Sequence, residues 1–269
     1  MTETTPEPGT SIPIATVPNL RDVGGWPTPT GRVRRGLIYR SAQFSDLVGS
    51  DAEAFSALGV RTVFDLRTAA EREQQPNLVP VGTDYVVVDI MQDATGAAPA
   101  QVLELARDPE AAEKVLGGGR AEELFAGAYR QIVSLPSALA GYRTMFTAFL
   151  DPARVPAEFH CTTGKDRTGW GTAALLLLLG VSYDDVVTDY LLTNVQLRAA
   201  VQPMYDAFAA AGGDPALLEP VLGVEKRYLD TAIDEMTTRF GTIEGYFESG
   251  LGMGPDEIAR LRELLIEPA

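Results

Sequence analysis

The stretch HCTTGKDRTG at residues 160–169 joins an apolar segment to a long apolar helical pattern, and it decides the fold prediction. The segment ahead of it, 155–159, is typical of a short buried strand, and residues 170–179 predict a buried helix. A loop between such a strand and helix turns backbone N–H groups toward one centre, and the helix start adds partial positive charge. The sequence therefore predicts a loop that holds an anion such as a phosphate group.

The reactive side chains of this loop suit phosphate-ester chemistry. Cys161 is the only cysteine of the chain, and the helix start and nearby cations favour its nucleophilic thiolate form. Arg167 offers a planar guanidinium that binds two phosphate oxygens at once, and Thr168 places a hydroxyl where it can donate to the sulfur. We expect these three residues to be catalytic. The expected phosphate-binding residues are Thr162, Thr163, Gly164, Lys165, Asp166 and Arg167.

Strands and helices alternate in the first half of the predicted structure. The predicted strands before the loop are 36–40, 60–66 and 85–90. Thr68 and Glu71 have the spacing of a capping box and predict a helix start between the last two strands. The pattern is helical from about 100 to 150, and the predicted helices after the loop are 168–179, 183–210, 216–238, 242–249 and 255–266. This order predicts an α/β fold, with a central sheet flanked by helices.

Composition limits the functions that the chain can have. Its 269 residues fit one large α/β domain. The net charge of −15 argues against a general binder of nucleic acid or anionic membranes, since both require basic surfaces. One cysteine and one histidine leave no basis for a cysteine-rich zinc site or for most histidine-based metal sites. We therefore expect no metal and no nucleic-acid partner.

The N-terminal residues 1–15 are predicted to be a flexible tail, because they are polar and rich in proline. Residues 1–10 lack the basic and apolar regions of a secretory signal. The apolar run at 173–179 is too short for a bilayer span, which needs roughly 20 residues. We expect a cytoplasmic protein without stable membrane insertion, and export without a signal peptide stays open.

Several segments, in chain order, resemble one family of known enzymes. The loop is similar to the signature loop of the cysteine-based protein tyrosine phosphatase superfamily. Its Lys165-Asp166-Arg167 sequence resembles a bacterial branch, that of the mycobacterial protein tyrosine phosphatase B type. The resemblance covers most of the chain, from about residue 16 to the C terminus. It also rests on 19–25 (NLRDVGG), 39–41 (YRS), 65–67 (DLR), 189–194 (DYLLTN) and 221–224 (VLGV).

The resemblance implies a tyrosine-phosphatase-like central sheet flanked by helices, with a helical lid over the site. Residues 16–269 would form the phosphatase domain, and 195–222 would form the lid. The implied reaction is hydrolysis of phosphate monoesters through a cysteinyl-phosphate intermediate, with inorganic phosphate as product. No metal and no organic cofactor are implied.

The sequence restricts the identity of the substrate less than it restricts the type of reaction. A phosphotyrosine protein is the first expectation, and phosphoserine, phosphothreonine or phosphoinositide activity is left open because the Lys165-Asp166 pair makes the loop more charged. A phosphoinositide (lipid) phosphatase is the alternative. A non-catalytic phosphate-binding module is a second alternative, against which the intact Cys161, Arg167 and Thr168 argue.

The general acid implied by the family is an aspartate on a separate loop. Asp93 is preferred, because it lies beyond the predicted strand 85–90, where a loop can reach the site. Asp89 is the alternative, and each has the further alternative of a solvated carboxylate without a role. Asp166, within the signature loop, is a third catalytic candidate that would contact substrate or orient water.

Three further residues are expected to support the loop. His160 would hold it by hydrogen bonding, but it would not act as a base, because adjacent strand residues point to opposite faces of a sheet. Arg21 and Ser41 would brace the loop from outside. A histidine packed without a role, a surface ion pair and a simple turn hydroxyl are the respective alternatives.

Overall fold

Five strands form the main sheet of the structure, a computed structural model that describes residues 6–94 and 108–269. In spatial order they are Arg21–Asp22 (β1), Ile38–Ala42 (β4), Ala157–Cys161 (β7), Thr62–Asp65 (β5) and Asp84–Val87 (β6). The last four run parallel, and β1 is antiparallel to β4 at one edge. The carboxyl ends of β4, β7 and β5 therefore meet at one edge of the sheet, where α/β proteins bind their ligands. Cys161 lies there, opposite Ala42.

A small antiparallel sheet pairs a segment near the N-terminal side of the fold with the last residues of the chain. Its strands are Pro27–Thr28 (β2), Gly31–Val33 (β3) and Ile266–Pro268 (β8). Within the predicted N-terminal tail, Ser11 forms a β-bridge with Arg21, and the side chain of Ile14 is buried. Residues 6–15 thus contact the rest of the fold.

Helices cover both faces of the main sheet. They are Gly49–Ala57 (α1), Ala69–Gln74 (α2), Pro109–Leu116 (α3), Arg120–Ser134 (α4), Pro136–Ala148 (α5), Arg167–Leu178 (α6), Tyr183–Gln196 (α7), Arg198–Ala210 (α8), Glu219–Leu222 (α9), Lys226–Phe240 (α10), Ile243–Gly245 (α11) and Pro255–Leu265 (α12). A 3-10 turn at Pro215–Leu218 and a π-type turn at Tyr246–Gly250 complete the helical part. All residues of α6 except Leu177 are buried, which explains why its sequence is apolar on every side.

The sheet separates two apolar cores. Val63 and Phe64 are neighbours on β5, and they enter different cores because successive strand residues point to opposite faces. The smaller core contains Val63 with Phe44 and Phe55 of the α1 side. The larger core contains Phe64, the α6 helix and Cys161. Burial of both faces is typical of parallel sheets, so the loop after Cys161 starts from a firmly packed strand.

The predicted α/β fold with flanking helices is confirmed, although some predicted bounds are not. The predicted strand 85–90 ends early, at Val87. The Val88 N–H still donates to the Asp65 oxygen of β5 at 2.8 Å, and the side chains of Val88 and Ile90 then lie against Gly141 of α5. The predicted helix 183–210 is two helices, α7 and α8, which are separated at Leu197. The start of the helical pattern predicted from about 100, up to residue 107, lies outside the described residues.

Residues 195–222 contain the end of α7, the whole of α8, the 3-10 turn and α9. The side chains of Phe208, Leu218 and Val221 within this segment are buried in the larger core. A lid function for the segment stays a prediction. Among the residues that the structure describes, no helix combines the length and the apolar character needed to cross a membrane.

Candidate active site

The signature loop connects β7 directly to α6. Cys161 is the last residue of β7 and is 1 % exposed, and Arg167 is the first residue of α6. Gly164 turns the loop with φ of +65°, and a Cβ atom at this position would lie 2.0 Å from the carbonyl oxygen of Ser41. Only glycine therefore fits this turn against β4. The tight turn keeps the nucleophile candidate and the guanidinium candidate at one end of the sheet.

Arg167 is held by two parallel hydrogen bonds to one carboxylate. Its Nη1 donates to Oε2 of Glu71 at 2.7 Å, and its Nη2 donates to Oε1 at 2.6 Å. Glu71 also accepts from the Thr162 hydroxyl, and it closes the capping box with Thr68 at the start of α2. This bidentate geometry fixes the plane and the direction of the guanidinium.

The two charges of this pair support each other. Burial alone would raise the pKa of Glu71, but the charge and hydrogen bonds of Arg167 lower it to about 2. Burial alone would lower the pKa of Arg167, yet the charge of Glu71 and its hydrogen bonds raise it. The Arg167 guanidinium is thus held as a cation by its pairing with Glu71.

Carbonyl groups on the outer side of the loop are also held. The Gly164 oxygen accepts from Nη2 of Arg40 at 2.8 Å and from Nδ2 of Asn19 at 3.1 Å. Asn19 also lies 3.4 Å from the Thr163 oxygen, and it adopts the left-handed backbone conformation with φ of +60°. With these carbonyls directed outward, the loop is free to turn N–H groups toward its centre.

One buried carboxylate anchors the two arginines behind the loop. Oδ1 of Asp189 is 3.1 Å from Nε of Arg21, and Oδ2 is 2.8 Å from Nη1 of Arg40. Burial would raise the pKa of Asp189, but the two guanidinium charges lower it. Arg21 was predicted to brace the loop, and its connection to the loop is indirect: it donates to the side-chain oxygen of Asn19, and it shares Asp189 with Arg40.

His160 and Ser41 lie in a second buried network, on the other face of β7. Nδ1 of His160 is 3.0 Å from Oε2 of Glu158, and the Ser41 hydroxyl donates to Oε1 of Glu158 at 2.8 Å. The imidazole packs on Phe44 of the smaller core, with ring centroids 4.8 Å apart. Burial would lower the pKa of His160, but Glu158 and Asp65 raise it to about 9. The side chains of His160 and Ser41 therefore lie on the face of the sheet opposite to the Cys161 sulfur.

The two candidate acids after β6 have different surroundings. Asp89 is half-buried and accepts a hydrogen bond from the Met91 N–H at 3.0 Å. Burial raises its pKa, while the Met91 N–H and the charges of Arg72 and Arg167 oppose this effect. Asp93 is exposed, and its carboxylate accepts from the Ser137 N–H at 2.8 Å, at the start of α5. The charge of Arg167 thus affects the pKa of Asp89, whereas the Asp93 carboxylate is hydrogen-bonded at the start of α5.

Asp166 and Lys165 interact mainly with each other and with the helices around the loop. Oδ1 of Asp166 accepts from Nζ of Lys165 at 2.9 Å and from the Tyr129 hydroxyl at 2.8 Å. Lys165 donates further to the Gly223 carbonyl at 3.1 Å and lies 4.5 Å from the centre of the Phe125 ring. The ammonium group of Lys165 therefore ties the loop to the segment after α9.

The Thr168 hydroxyl is buried at the second position of α6. Within the described residues it has no hydrogen-bond partner, although donation to the Cys161 sulfur was predicted. A buried hydroxyl without a partner is costly in a folded protein. The predicted donation to the Cys161 sulfur is therefore absent from the described structure.

Sequence reasoning did not assign roles to several residues that contact the loop. Glu71 was recognised only as half of a capping box. The remaining residues stood in the segments that carried the family resemblance, or had no local signal at all. They are Asn19, Arg40 and Tyr129, which contact the loop, and Asp189, which holds Arg40. Only the fold brings them to the loop, because they lie more than 30 residues from it or on other elements.

The sequence profile described as "Tyrosine phosphatase family" matches residues 12–267. The chain belongs to the tyrosine phosphatase family. This confirms the resemblance in the signature loop and places the chain among the phosphatases, as phosphoric monoester hydrolases.

Similar proteins within the family come from several bacteria. A candidate tyrosine-protein phosphatase of Cupriavidus necator is 30 % identical over 250 residues, which cover 92 % of this chain and 85 % of that protein. The triple specificity protein phosphatase PtpB of Mycobacterium tuberculosis is 28 % identical over 273 residues, covering 92 % and 96 % of the two chains. A tyrosine-protein phosphatase of Nostoc commune is 28 % identical, covering 84 % and 72 %. The match to the mycobacterial protein confirms the predicted bacterial branch.

Proposed function

We propose that this chain hydrolyses phosphotyrosine in proteins through a cysteinyl-phosphate intermediate. The observation that carries the proposal is the pair Arg167–Glu71, which fixes a guanidinium at the start of the buried helix that follows the Cys161 strand. A phosphate dianion in this loop would meet backbone N–H groups, the helix N-terminus and two arginine N–H groups. Such a site stabilises the charge that develops on phosphoryl oxygens during displacement.

The first step of the proposed reaction is attack of Cys161 on phosphorus. The S–P bond forms, the bond from phosphorus to the tyrosine oxygen breaks, and an aspartate protonates that oxygen. We propose Asp89 for this role in place of Asp93, the first expectation. Burial raises the pKa of Asp89, and a raised pKa keeps a carboxyl group protonated closer to neutral pH, as an acid catalyst requires.

The second step of the proposed reaction releases phosphate. Water attacks the phosphorus of the cysteinyl phosphate, the P–S bond breaks, and its electron pair returns to Cys161. The aspartate that lost its proton in the first step accepts one from the water, which restores the enzyme. In this proposal the Thr168 hydroxyl, which has no hydrogen-bond partner among residues 6–94 and 108–269, donates to the departing sulfur and stabilises it.

The range of substrates is part of the proposal. The mycobacterial relative carries the name triple specificity phosphatase, which supports phosphoserine and phosphothreonine as further substrates. The charged Lys165-Asp166 pair left phosphoinositide activity open as an expectation. Lys165 is only 4 % exposed, and it is occupied by Asp166 and Gly223, so this lysine gives that expectation little support. We propose that phosphotyrosine is the best substrate of these classes.

The nucleophile is tested by replacing Cys161 with serine. We expect the wild-type chain to hydrolyse p-nitrophenyl phosphate and a phosphotyrosine peptide, and Cys161→Ser to lose activity by at least about 10³-fold, because a hydroxyl is a far weaker nucleophile at neutral pH. The variant should still bind the peptide, as measured by calorimetry. Parallel assays with phosphoserine peptide and with phosphoinositide vesicles measure the substrate range. Activity retained by Cys161→Ser would refute thiol catalysis.

A further inference from the structure

Asp166 has the most accessible charged side chain of the loop. Its side chain is 13 % exposed, compared with 4 % for Lys165 and 7 % for Arg167. Lys165 and Tyr129 both donate to Oδ1 of Asp166, at 2.9 Å and 2.8 Å. Oδ2 accepts no hydrogen bond from the chain within residues 6–94 and 108–269. One oxygen of this carboxylate is therefore held, and the other is left for a water molecule or a substrate.

Tyr129 is well suited to hold a neighbouring group in place. It is 0 % exposed on α4, where its ring stacks on Tyr228 with centroids 5.6 Å apart. Its hydroxyl also hydrogen-bonds to that of Tyr190. Burial, with the charge of Asp166, raises the pKa of Tyr129 well above its ordinary value. The phenol therefore remains protonated, and it donates to Asp166 throughout the neutral pH range.

We propose that Tyr129 is a positioning residue that orients Asp166 for the second chemical step. The inference rests on the function proposed above and deepens it. Oδ2 of Asp166 accepts a hydrogen bond from the attacking water, so that an oxygen lone pair points at phosphorus. The O–P bond forms, the P–S bond breaks with its electrons returning to Cys161, and the water proton goes to the aspartate that protonated the leaving group. Inorganic phosphate then leaves.

This role separates the two chemical steps. The first step uses sulfur as nucleophile and needs no water, so it does not depend on Asp166 orientation. The second step needs one water placed in line with the P–S bond, and misplacing a reacting group by about 1 Å can cost on the order of 10²-fold in rate. Loss of the Tyr129 hydroxyl should therefore slow the second step alone.

The experiment compares Tyr129→Phe with Tyr228→Phe in stopped-flow assays with p-nitrophenyl phosphate. Phenylalanine preserves the aromatic packing at both positions. Tyr228 stacks on Tyr129, but its hydroxyl bonds to Glu225, so it serves as the matched control. For Tyr129→Phe we expect a burst of about one p-nitrophenol per enzyme at the wild-type rate, and then steady turnover about 10-fold below wild type. Tyr228→Phe should have wild-type turnover.

A double-mutant cycle with Asp166→Asn tests whether Tyr129 acts through Asp166. If it does, adding Tyr129→Phe to Asp166→Asn should cause no further loss of steady turnover. The inference is overturned by wild-type turnover in Tyr129→Phe, by equal slowing of its burst and steady phases, or by losses that multiply in the double mutant. Failure of the proposed function has a different signature, because wild-type chain would then lack hydrolysis that depends on Cys161.

Discussion

Asp89 and Asp93 show how four residues of separation change what a carboxylate can do. Asp89 is half-buried, and the charge of Arg167 acts on it, whereas Asp93 is exposed at the start of α5. In the sequence both are aspartates after an apolar run. Exposure and hydrogen-bond partners distinguish them, and these depend on where the chain leaves the sheet.

Replacing each aspartate by asparagine tests this distinction. The phenolate of tyrosine, whose phenol has a pKa of about 10, is a poor leaving group unless an acid protonates its oxygen. Asp89→Asn should lower turnover of a phosphotyrosine peptide by on the order of 10²-fold, and it should affect p-nitrophenyl phosphate less, because nitrophenolate leaves more readily.

The matched control is Asp93→Asn, which weakens the hydrogen bond to the Ser137 N–H. It should lower the free energy of unfolding by up to about 1 kcal/mol and leave turnover of both substrates close to wild type. A larger loss of phosphotyrosine turnover in Asp93→Asn than in Asp89→Asn would assign the acid to Asp93.

At the scale of elements, the signature loop is shaped by its packing against β4. Gly164 lies where a Cβ would meet backbone atoms of Ser41 and Ala42 at 2.0 to 2.8 Å. Backbone atoms in the middle of a sheet cannot move aside as a flexible side chain could. The contact therefore couples the loop conformation to the sheet.

Gly164→Ala should destabilise the chain by on the order of 2 kcal/mol or more and should abolish phosphate binding, measured by urea unfolding and by calorimetry with inorganic phosphate. Gly127→Ala is the matched control. Gly127 lies inside α4, and a Cβ there meets nothing within 4 Å, so alanine should stabilise the helix by up to about 1 kcal/mol. Wild-type stability of Gly164→Ala would show that the loop can relax.

Local patterns in the sequence predict the strand, loop and helix of the site well. The segment before Cys161, the buried α6 helix and the Thr68–Glu71 capping box all follow from nearest neighbours along the chain, and all three are present. The second role of Glu71, as the partner of Arg167, depends on a contact across 96 residues. No local periodicity contains that information, because the sheet topology creates the contact.

The whole molecule combines a net charge of −15 with deeply buried arginines. Arg21 and Arg40 share Asp189, Arg67 pairs with Asp65, and Arg167 pairs with Glu71. A buried cation that loses its partner is strongly destabilising. The stability of the fold should therefore depend on these carboxylates remaining ionised.

This dependence should appear as acid sensitivity. The pKa of Glu71 is about 2 in the folded chain, below its ordinary 4.5, so its stabilising effect is complete above pH 4.5 and is lost as the pH falls toward 2. Across that range Glu71 should account for on the order of 3 kcal/mol of lost unfolding free energy. Urea unfolding of wild type and Glu71→Gln at several pH values measures it, and the variant should show a shallower decline. Parallel declines would mean that Glu71 has the same pKa in the folded and unfolded chains.

The two hydrogen bonds from Arg167 to Glu71 also have a consequence for inhibitor design. A receptor whose donors are already oriented loses little conformational entropy when a tetrahedral or trigonal-bipyramidal oxyanion docks. Vanadate or tungstate should consequently bind without rearranging residues 161–167. Changing the anionic group of an inhibitor should therefore add little selectivity. Groups that extend from it toward the neighbouring helices should add more.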